Sequence, residues 1–340
     1  MNAHYRYLCR LPKYPESKIN RKAGKKIPAS TFVAKFFAPW ESTISSWDDA
    51  KKIVEKIVDN AGASRQMAWR GVVNADYPVH SSIYRWYVQE NGRHPTELQL
   101  ASVERKILNN AKTKWRFDNV PALEIFAQSQ HLGGKSRLLD VTLNPYVALW
   151  FAAEEKNPDL DNSNSADGRL FAFDVTNRQI ELNRFWRSRV IPWSDGTPDA
   201  NSPLEQTMSE WRTSLPLLWR PPQYNERIFA QNAAFLVGGV PQYVAGSNAR
   251  YRKAPGNANA GKGNWKISEV REVTSVGLSM SRLGTALRFG EQRKSTPTFT
   301  VLVSQSAKAE IRNRLRETMG LDYWTIYPDI LGLANLGHVI

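Results

Sequence analysis

The chain has 340 residues, 41% of them hydrophobic, with 12 Trp, 12 Tyr and 13 Phe, enough apolar side chain for a large core and too much for a disordered chain. Lys and Arg number 46 against 32 Asp and Glu, a formal net charge of +14, and that excess favours polyanionic partners such as nucleic acid. No apolar run approaches a membrane span, the N-terminal segment lacks a signal-peptide core, and Cys9 is the sole cysteine. A cytosolic protein is therefore expected, with no membrane association, no disulfide and no cysteine-rich zinc site.

Residues 1–45 read as a basic N-terminal arm. Arg6, Arg10, Lys13, Lys18, Arg21, Lys22, Lys25, Lys26 and Lys35 face only Glu16 within residues 1–40, with Tyr5, Tyr7 and Tyr14 interleaved. Such a segment suits phosphate contact with base stacking, and equally suits a solvated, mobile arm. Ser46-Trp47-Asp48-Asp49 then opens a helix expected to run through Asn60 and stop at Gly62, with Ile53, Ile57 and Val58 on one face.

The run MAWRGVV, residues 67–73, is rich in strand formers and carries Arg70 in its middle. A guanidinium there is buried only if it pairs with an acid, for which Asp76 and Asp140 are candidates, or binds an anion. Thr96 caps a supporting helix that reaches Trp115. A further helix, entering from Pro121, ends at Gly133-Gly134.

Residues 136–141 are extended, and Thr142 or Asn144 then caps a helix begun by Pro145. That helix, Tyr146–Glu155, is apolar nearly all round and so belongs in a core. Asp140, Thr142 and Asn144 are thereby anchored at the end of a buried element, as a rigid site requires.

Strands are expected at Arg169–Val175, Leu215–Arg220, Arg227–Gln231 and Phe235–Val237. Pro241–Lys266 is a Gly/Asn/Ala-rich, acid-free segment with Arg250, Arg252, Lys253, Lys262 and Lys266 beside Tyr243, Tyr251 and Trp265. It fits a nucleic-acid contact or a flexible linker. The end of the chain reads strand, helix, strand, helix over Thr298–Val303, Gln305–Thr318, Asp322–Tyr327 and Pro328 onward. The class is α+β in one domain plus an arm. No Walker loop or GxGxxG is present and the five His form no HExxH pair, which argues against an NTPase, a Rossmann fold and a catalytic metal.

Four segments carry a family resemblance. QHLGGKSRLLDVTLNPYVALWFA, beginning at Gln130, resembles the central signature of the FRG domain, a bacterial and phage domain named for a Phe-Arg-Gly motif. Trp69-Arg70-Gly71 with Asn74-Ala75-Asp76-Tyr77-Pro78 agrees with it. So do Arg227-Ile228-Phe229-Ala230-Gln231 and Tyr327-Pro328-Asp329 with Gly332-Leu333-Ala334, in order. Trp69 stands where the name has Phe, Ser136 where Thr is common, and Asn232-Ala233 where a Gly usually follows the Gln. The resemblance assigns residues 46–340 to the FRG domain, with a basic flexible insertion at about 241–266.

The order of these segments also looks like that of ADP-ribosyltransferases, DVTLNPYVALWFA being similar to their Ser-Thr-Ser segment and following helix. The resemblance thus implies an α+β, ADP-ribosyltransferase-like split or mixed β core with surrounding helices, and NAD as substrate without a metal. Cleavage of NAD needs an anion clamp and a group that opposes the positive charge developing on the ribose. By resemblance Arg70, with Gly71, supplies the clamp, Asp140 or Thr142 positions the ribose, and Arg227 holds the NAD phosphate or Asp140. The third catalytic position falls to Glu226 or to Gln231. His131 binds substrate or acts as a base, or else is a helix-terminal His bonded to backbone.

Arg137 reads as a structural partner of an acid. The function implied is an ADP-ribosyltransferase that modifies nucleic acid, RNA favoured, in the manner of a toxin or anti-phage effector with a neutralising antitoxin protein as partner. NAD hydrolysis and a non-catalytic nucleic-acid-binding module are the alternatives.

Overall fold

The computed structural model describes residues 30–62, 64–131, 133–156, 163–180, 216–223, 225–242, 251–254, 263–285 and 296–334. Helix α1 (Ser30–Phe37) and strand β1 (Ser42–Ile44) precede α2 (Trp47–Ala61) and β2 (Met67–Val72). Three helices follow, α3 (Ser82–Asn91), α4 (Glu97–Trp115) and α5 (Ala122–His131), then β3 (Leu139–Thr142), α6 (Pro145–Ala153) and β4 (Gly168–Asp174). Beyond lie β5 (Leu217–Trp219), α7 (Glu226–Ala230), β6 (Ala233–Val237), α8 (Ile267–Val273), β7 (Leu278–Met280) and β8 (Thr296–Val303). The described chain closes with α9 (Lys308–Met319), α10 (Tyr323–Ile326) and α11 (Ile330–Ala334).

The strands form one mixed eight-stranded sheet in the order β1-β8-β4-β2-β3-β6-β5, an α+β arrangement. The pairs from β8 through β4, β2, β3 and β6 to β5 are antiparallel, whereas β1 and β7 both run parallel to β8. Those two short strands share the far edge of β8, β7 along its first half and β1 along its second.

Strand β4 is buried along its whole length because both faces of the sheet are covered. Alternation divides its side chains: Leu170 and Ala172 join Trp69, Phe299 and residues of α2, α6 and α9, whereas Phe171 and Phe173 join Phe36, Phe37, Trp265 and Val270 on the opposite face.

Helix α6 lies directly on β2 and β4, and two glycines permit this approach. A Cβ on Gly71 would stand 1.8 Å from the Ala148 carbonyl oxygen, and one on Gly168 would stand 2.0 Å from that of Ala152. The helix starts as its sequence dictates, with the Asn144 side chain accepting from the Tyr146 N–H at 2.9 Å and Pro145 in the first turn. The Thr96 cap is a full capping box with Gln99.

Four expectations require correction or refinement. The 227–231 segment is the helix α7 rather than a strand, because Asn225 accepts from the Ile228 N–H at 2.8 Å and satisfies a free first-turn donor. Asp322–Tyr327 likewise contains a helix, α10, opened by a capping box between Asp322 and Thr325. Residues 30–44 of the expected arm are α1 and β1, with Val33, Phe36, Phe37 and Ile44 in the core; residues 1–29 lie outside the described residues. Part of the 241–266 segment is also built in: Arg252 and Asn264 form a β-bridge and Trp265 is buried against Phe32 and Phe36.

Arg137 pairs with Glu97 and Glu104, its Nε donating to Glu104 Oε1 at 2.6 Å. Burial alone would lower the Arg137 pKa, but Glu104 and Glu97 outweigh it and raise the value. This buried triad ties α4 to the chain entering β3. No described helix is long and apolar enough to cross a membrane.

Candidate functional site

Between β2 and β3 the register contains one facing pair, Trp69 with Thr142. On its other side each strand continues in full register, β2 with β4 and β3 with β6. The sheet is therefore continuous at its outer ladders and parted in the middle. Arg70 bridges the parting: its Nη1 donates to the main-chain carbonyl of Asp140 at 2.6 Å, in place of a ladder bond, and stands 3.9 Å from the Asp140 carboxylate. Burial lowers the Arg70 pKa, with Asp140 offsetting part of the shift.

The Asp140 carboxylate is held in turn. Gln130 Nε2 donates to its Oδ1 at 2.6 Å, and the buried Ser136 hydroxyl donates to Gln130 Oε1. Even so, the Asp140 side chain is 63% exposed, which leaves it accessible to a ligand. Thr142 is 4% exposed, its hydroxyl donating to the Gln231 carbonyl at 2.6 Å and accepting from the Asn144 N–H at 3.0 Å. Its place is that of a brace joining β3, α6 and the end of α7.

The opposite wall comes from α7 and the end of the chain. Arg227 Nη2 donates to Asp329 Oδ1 at 2.5 Å, and the guanidinium lies over the Tyr327 ring, 4.9 Å from its centroid. Gln231 Nε2 donates to the Ile326 carbonyl at 3.0 Å. The Tyr327 hydroxyl donates to Glu154 Oε1 at 2.9 Å, and burial, together with the Glu154 carboxylate, raises its pKa well above the usual phenol value. Tyr327 is thus a neutral hydrogen-bonded wall rather than a base at neutral pH.

These groups surround a cavity of about 290 Å³ lined by Trp69, Arg70, Gly71, Gln130, Asp140, Val141, Thr142, Phe151, Arg227, Gln231, Ala233, Phe235 and Tyr327. Six residues proposed from sequence, Arg70, Gly71, Asp140, Thr142, Arg227 and Gln231, come together here from three elements, β2, β3 and α7, and the turn after α7. Glu226 does not: it sits in the exposed first turn of α7 and is absent from the lining. The side chain of His131 lies outside the described residues. Gly71 borders the cavity, yet its contact with Ala148 already gives a packing reason for a glycine.

Residues 65–161 match the family model of the FRG domain. The chain carries an FRG domain. The matched residues hold β2, β3 and α6, and with them Arg70, Gln130 and Asp140, while α7 and the Tyr327 wall lie beyond the match. No curated protein and no solved structure matches the chain.

Gln130 stands inside the quoted signature, yet nothing in a helix-terminal Gln shows which acid it will meet. The wall shared by Phe151, Phe235 and Tyr327 is visible only once β6 and the end of the chain are folded. The chemistry available is specific. Arg70 and Arg227 each have a buried Nε without a hydrogen-bond partner among the described residues, and a buried unmet donor costs about 1–3 kcal/mol. A ligand oxygen at either Nε would recover that cost. With the Tyr327 ring beside Arg227 and further aromatic residues in the lining, the cavity suits an anionic molecule that carries planar rings.

Proposed function

We propose that this cavity binds NAD and that the protein transfers ADP-ribose from it to nucleic acid, with RNA the favoured acceptor. The observation that carries the reading is the pair of Nε donors of Arg70 and Arg227, both buried, both unpartnered among the described residues, on one cavity with aromatic walls. A diphosphate offers oxygens to planar guanidinium forks, and the nicotinamide and adenine rings suit Trp69, Phe151, Phe235 and Tyr327. The cavity, about 290 Å³, lies near the lower end of ligand pockets, at about 300 Å³, so it would enclose part of the dinucleotide with the remainder at the mouth.

The parting of β2 from β3 ahead of the buried α6 is in keeping with the split core that the family resemblance implies. When bound, NAD supplies a glycosidic bond whose electron pair leaves with nicotinamide as the ribosyl carbon passes to a nucleophile. Arg70 and Arg227 hold the phosphates, Gln130 and the Arg70 contact keep Asp140 in place, and the aromatic walls hold the rings. The formal charge of +14 supports a polyanionic acceptor.

Incubation of the protein with adenine-labelled NAD and, separately, RNA, DNA and protein tests this. Label on RNA is the expected result. Free ADP-ribose in every reaction would replace transfer by hydrolysis, and intact NAD throughout would leave a binding module.

A further inference from the structure

We infer that Asp140 is the catalytic carboxylate, the group whose negative charge opposes the positive charge on the ribosyl carbon during cleavage. The inference rests on the NAD reading above and assigns a role that neither Glu226 nor Gln231 fills. Among the described residues that line the cavity, Asp140 is the one carboxylate. Glu226 is exposed on α7 and outside the lining. Gln231 is neutral, and its amide N–H₂ already donates to the Ile326 carbonyl. A neutral amide stabilises developing positive charge far less than a carboxylate does.

Position and restraint agree with this role. Asp140 is at the mouth of the parting between β2 and β3, its Oδ1 fixed by Gln130 at 2.6 Å and its Oδ2 facing Arg70 at a loose 3.9 Å. The charge is therefore placed before substrate arrives, yet its second oxygen is not spent on a close ion pair. In the step itself the glycosidic C–N bond breaks and its electron pair goes to the nicotinamide nitrogen, cancelling the pyridinium charge. The acceptor's lone pair then forms the new bond to the ribosyl carbon, and the acceptor's proton leaves to water. Asp140 forms no bond; it acts by charge.

The substitution Asp140→Asn separates this role from support of Arg70, because the bond from Arg70 goes to the Asp140 main-chain carbonyl, which the substitution leaves in place. The amide oxygen of Asn can still accept from Gln130, and the exposure of the side chain favours an intact fold. Three quantities are measured on the full chain: nicotinamide release in a single turnover, NAD affinity by calorimetry, and the melting temperature. Release should fall about 10²–10³-fold while the NAD dissociation constant stays within about threefold. Asp140→Glu, which restores the charge one methylene further out, should recover part of the rate.

A rate for Asp140→Asn within about threefold of wild type overturns the inference while the NAD reading stands. So does a loss confined to NAD affinity, or equal rates for Asn and Glu, since both would make Asp140 a positioning residue. Wild-type protein that binds no NAD, or binds it without releasing nicotinamide, overturns the NAD reading and this inference with it.

Discussion

The Arg70 guanidinium on β2 donates to the main-chain carbonyl of Asp140 on β3 at 2.6 Å, at the point where those two strands part. One side chain thus closes the gap in the backbone ladder and borders the cavity that the gap opens. Structure and site are joined in that single contact.

Replacement of Arg70 by Ala therefore has a cost in stability. It leaves the Asp140 carbonyl without its donor, and loss of a hydrogen bond to a charged group costs roughly 1.5–3 kcal/mol. Arg70→Ala should remain folded, because the core on both sheet faces is untouched, but unfold at lower denaturant. Urea titration checks this, and an unchanged midpoint would contradict the bridging role.

Gly71, the next residue, should respond differently. Gly71→Ala puts a Cβ 1.8 Å from the Ala148 carbonyl oxygen and 2.6 Å from the Ala152 nitrogen, both of them backbone atoms of α6. The helix would have to lift off the sheet, at a cost of about 3 kcal/mol or more by the usual scale of overpacking. The expected outcome is a large fall in melting temperature. A stable Gly71→Ala protein that has lost only NAD affinity would make Gly71 a ligand contact instead.

Burial pushes the pKa of His80 down to about 3, with nearby His94 and Arg85 adding to the shift, while its bond to the Arg271 carbonyl works the other way. An unfolded His titrates near about 6.5, so below that pH the unfolded chain binds a proton that folded His80 refuses. The associated stability is complete above about pH 6.5 and is lost progressively toward about pH 3, by at most ~1.4 kcal/mol per pH unit. His80→Gln should flatten this fall in urea titrations at pH 7, 6 and 5. An acid dependence identical to wild type would show that His80 is not its source.

Glu226 and Gln231 are separated by their surroundings. Glu226→Gln, at an exposed helix start outside the lining, should leave nicotinamide release within about threefold of wild type. Gln231→Ala removes the bond to the Ile326 carbonyl and loosens the Tyr327 wall, so NAD affinity should fall. Nicotinamide release and calorimetry on both variants check this pair. A strong loss of rate in Glu226→Gln would return the carboxylate role to α7.

Long elements with caps were legible in the sequence. Ser46, Thr96 and Asn144 with Pro145 mark the starts of α2, α4 and α6, and the apolar surface of α6 assigns it to the core. Short elements were not. α7 and α10 have five and four residues, less than two turns, so apolar content suggested strands while Asn225 and Asp322 carried the true signal as caps. In α1, Val33, Phe36 and Phe37 had helical spacing, but the basic residues before them dominated the reading. The site residues were recognised singly, from a motif and from an arginine in an apolar strand. Their common cavity depends on the register of β2, β3 and β6 and on the clasp of Arg227 by Asp329, which are long-range relations that no local pattern encodes.

The most direct measurement is calorimetric titration of NAD into the purified protein and into Arg70→Ala, at a temperature where both are folded. Wild-type protein should bind NAD one to one, and Arg70→Ala should bind at least about tenfold more weakly, the effect of roughly 1.4 kcal/mol for a lost guanidinium contact. No binding to the wild-type protein, or equal affinity in the two proteins, would contradict the assignment of this cavity to NAD.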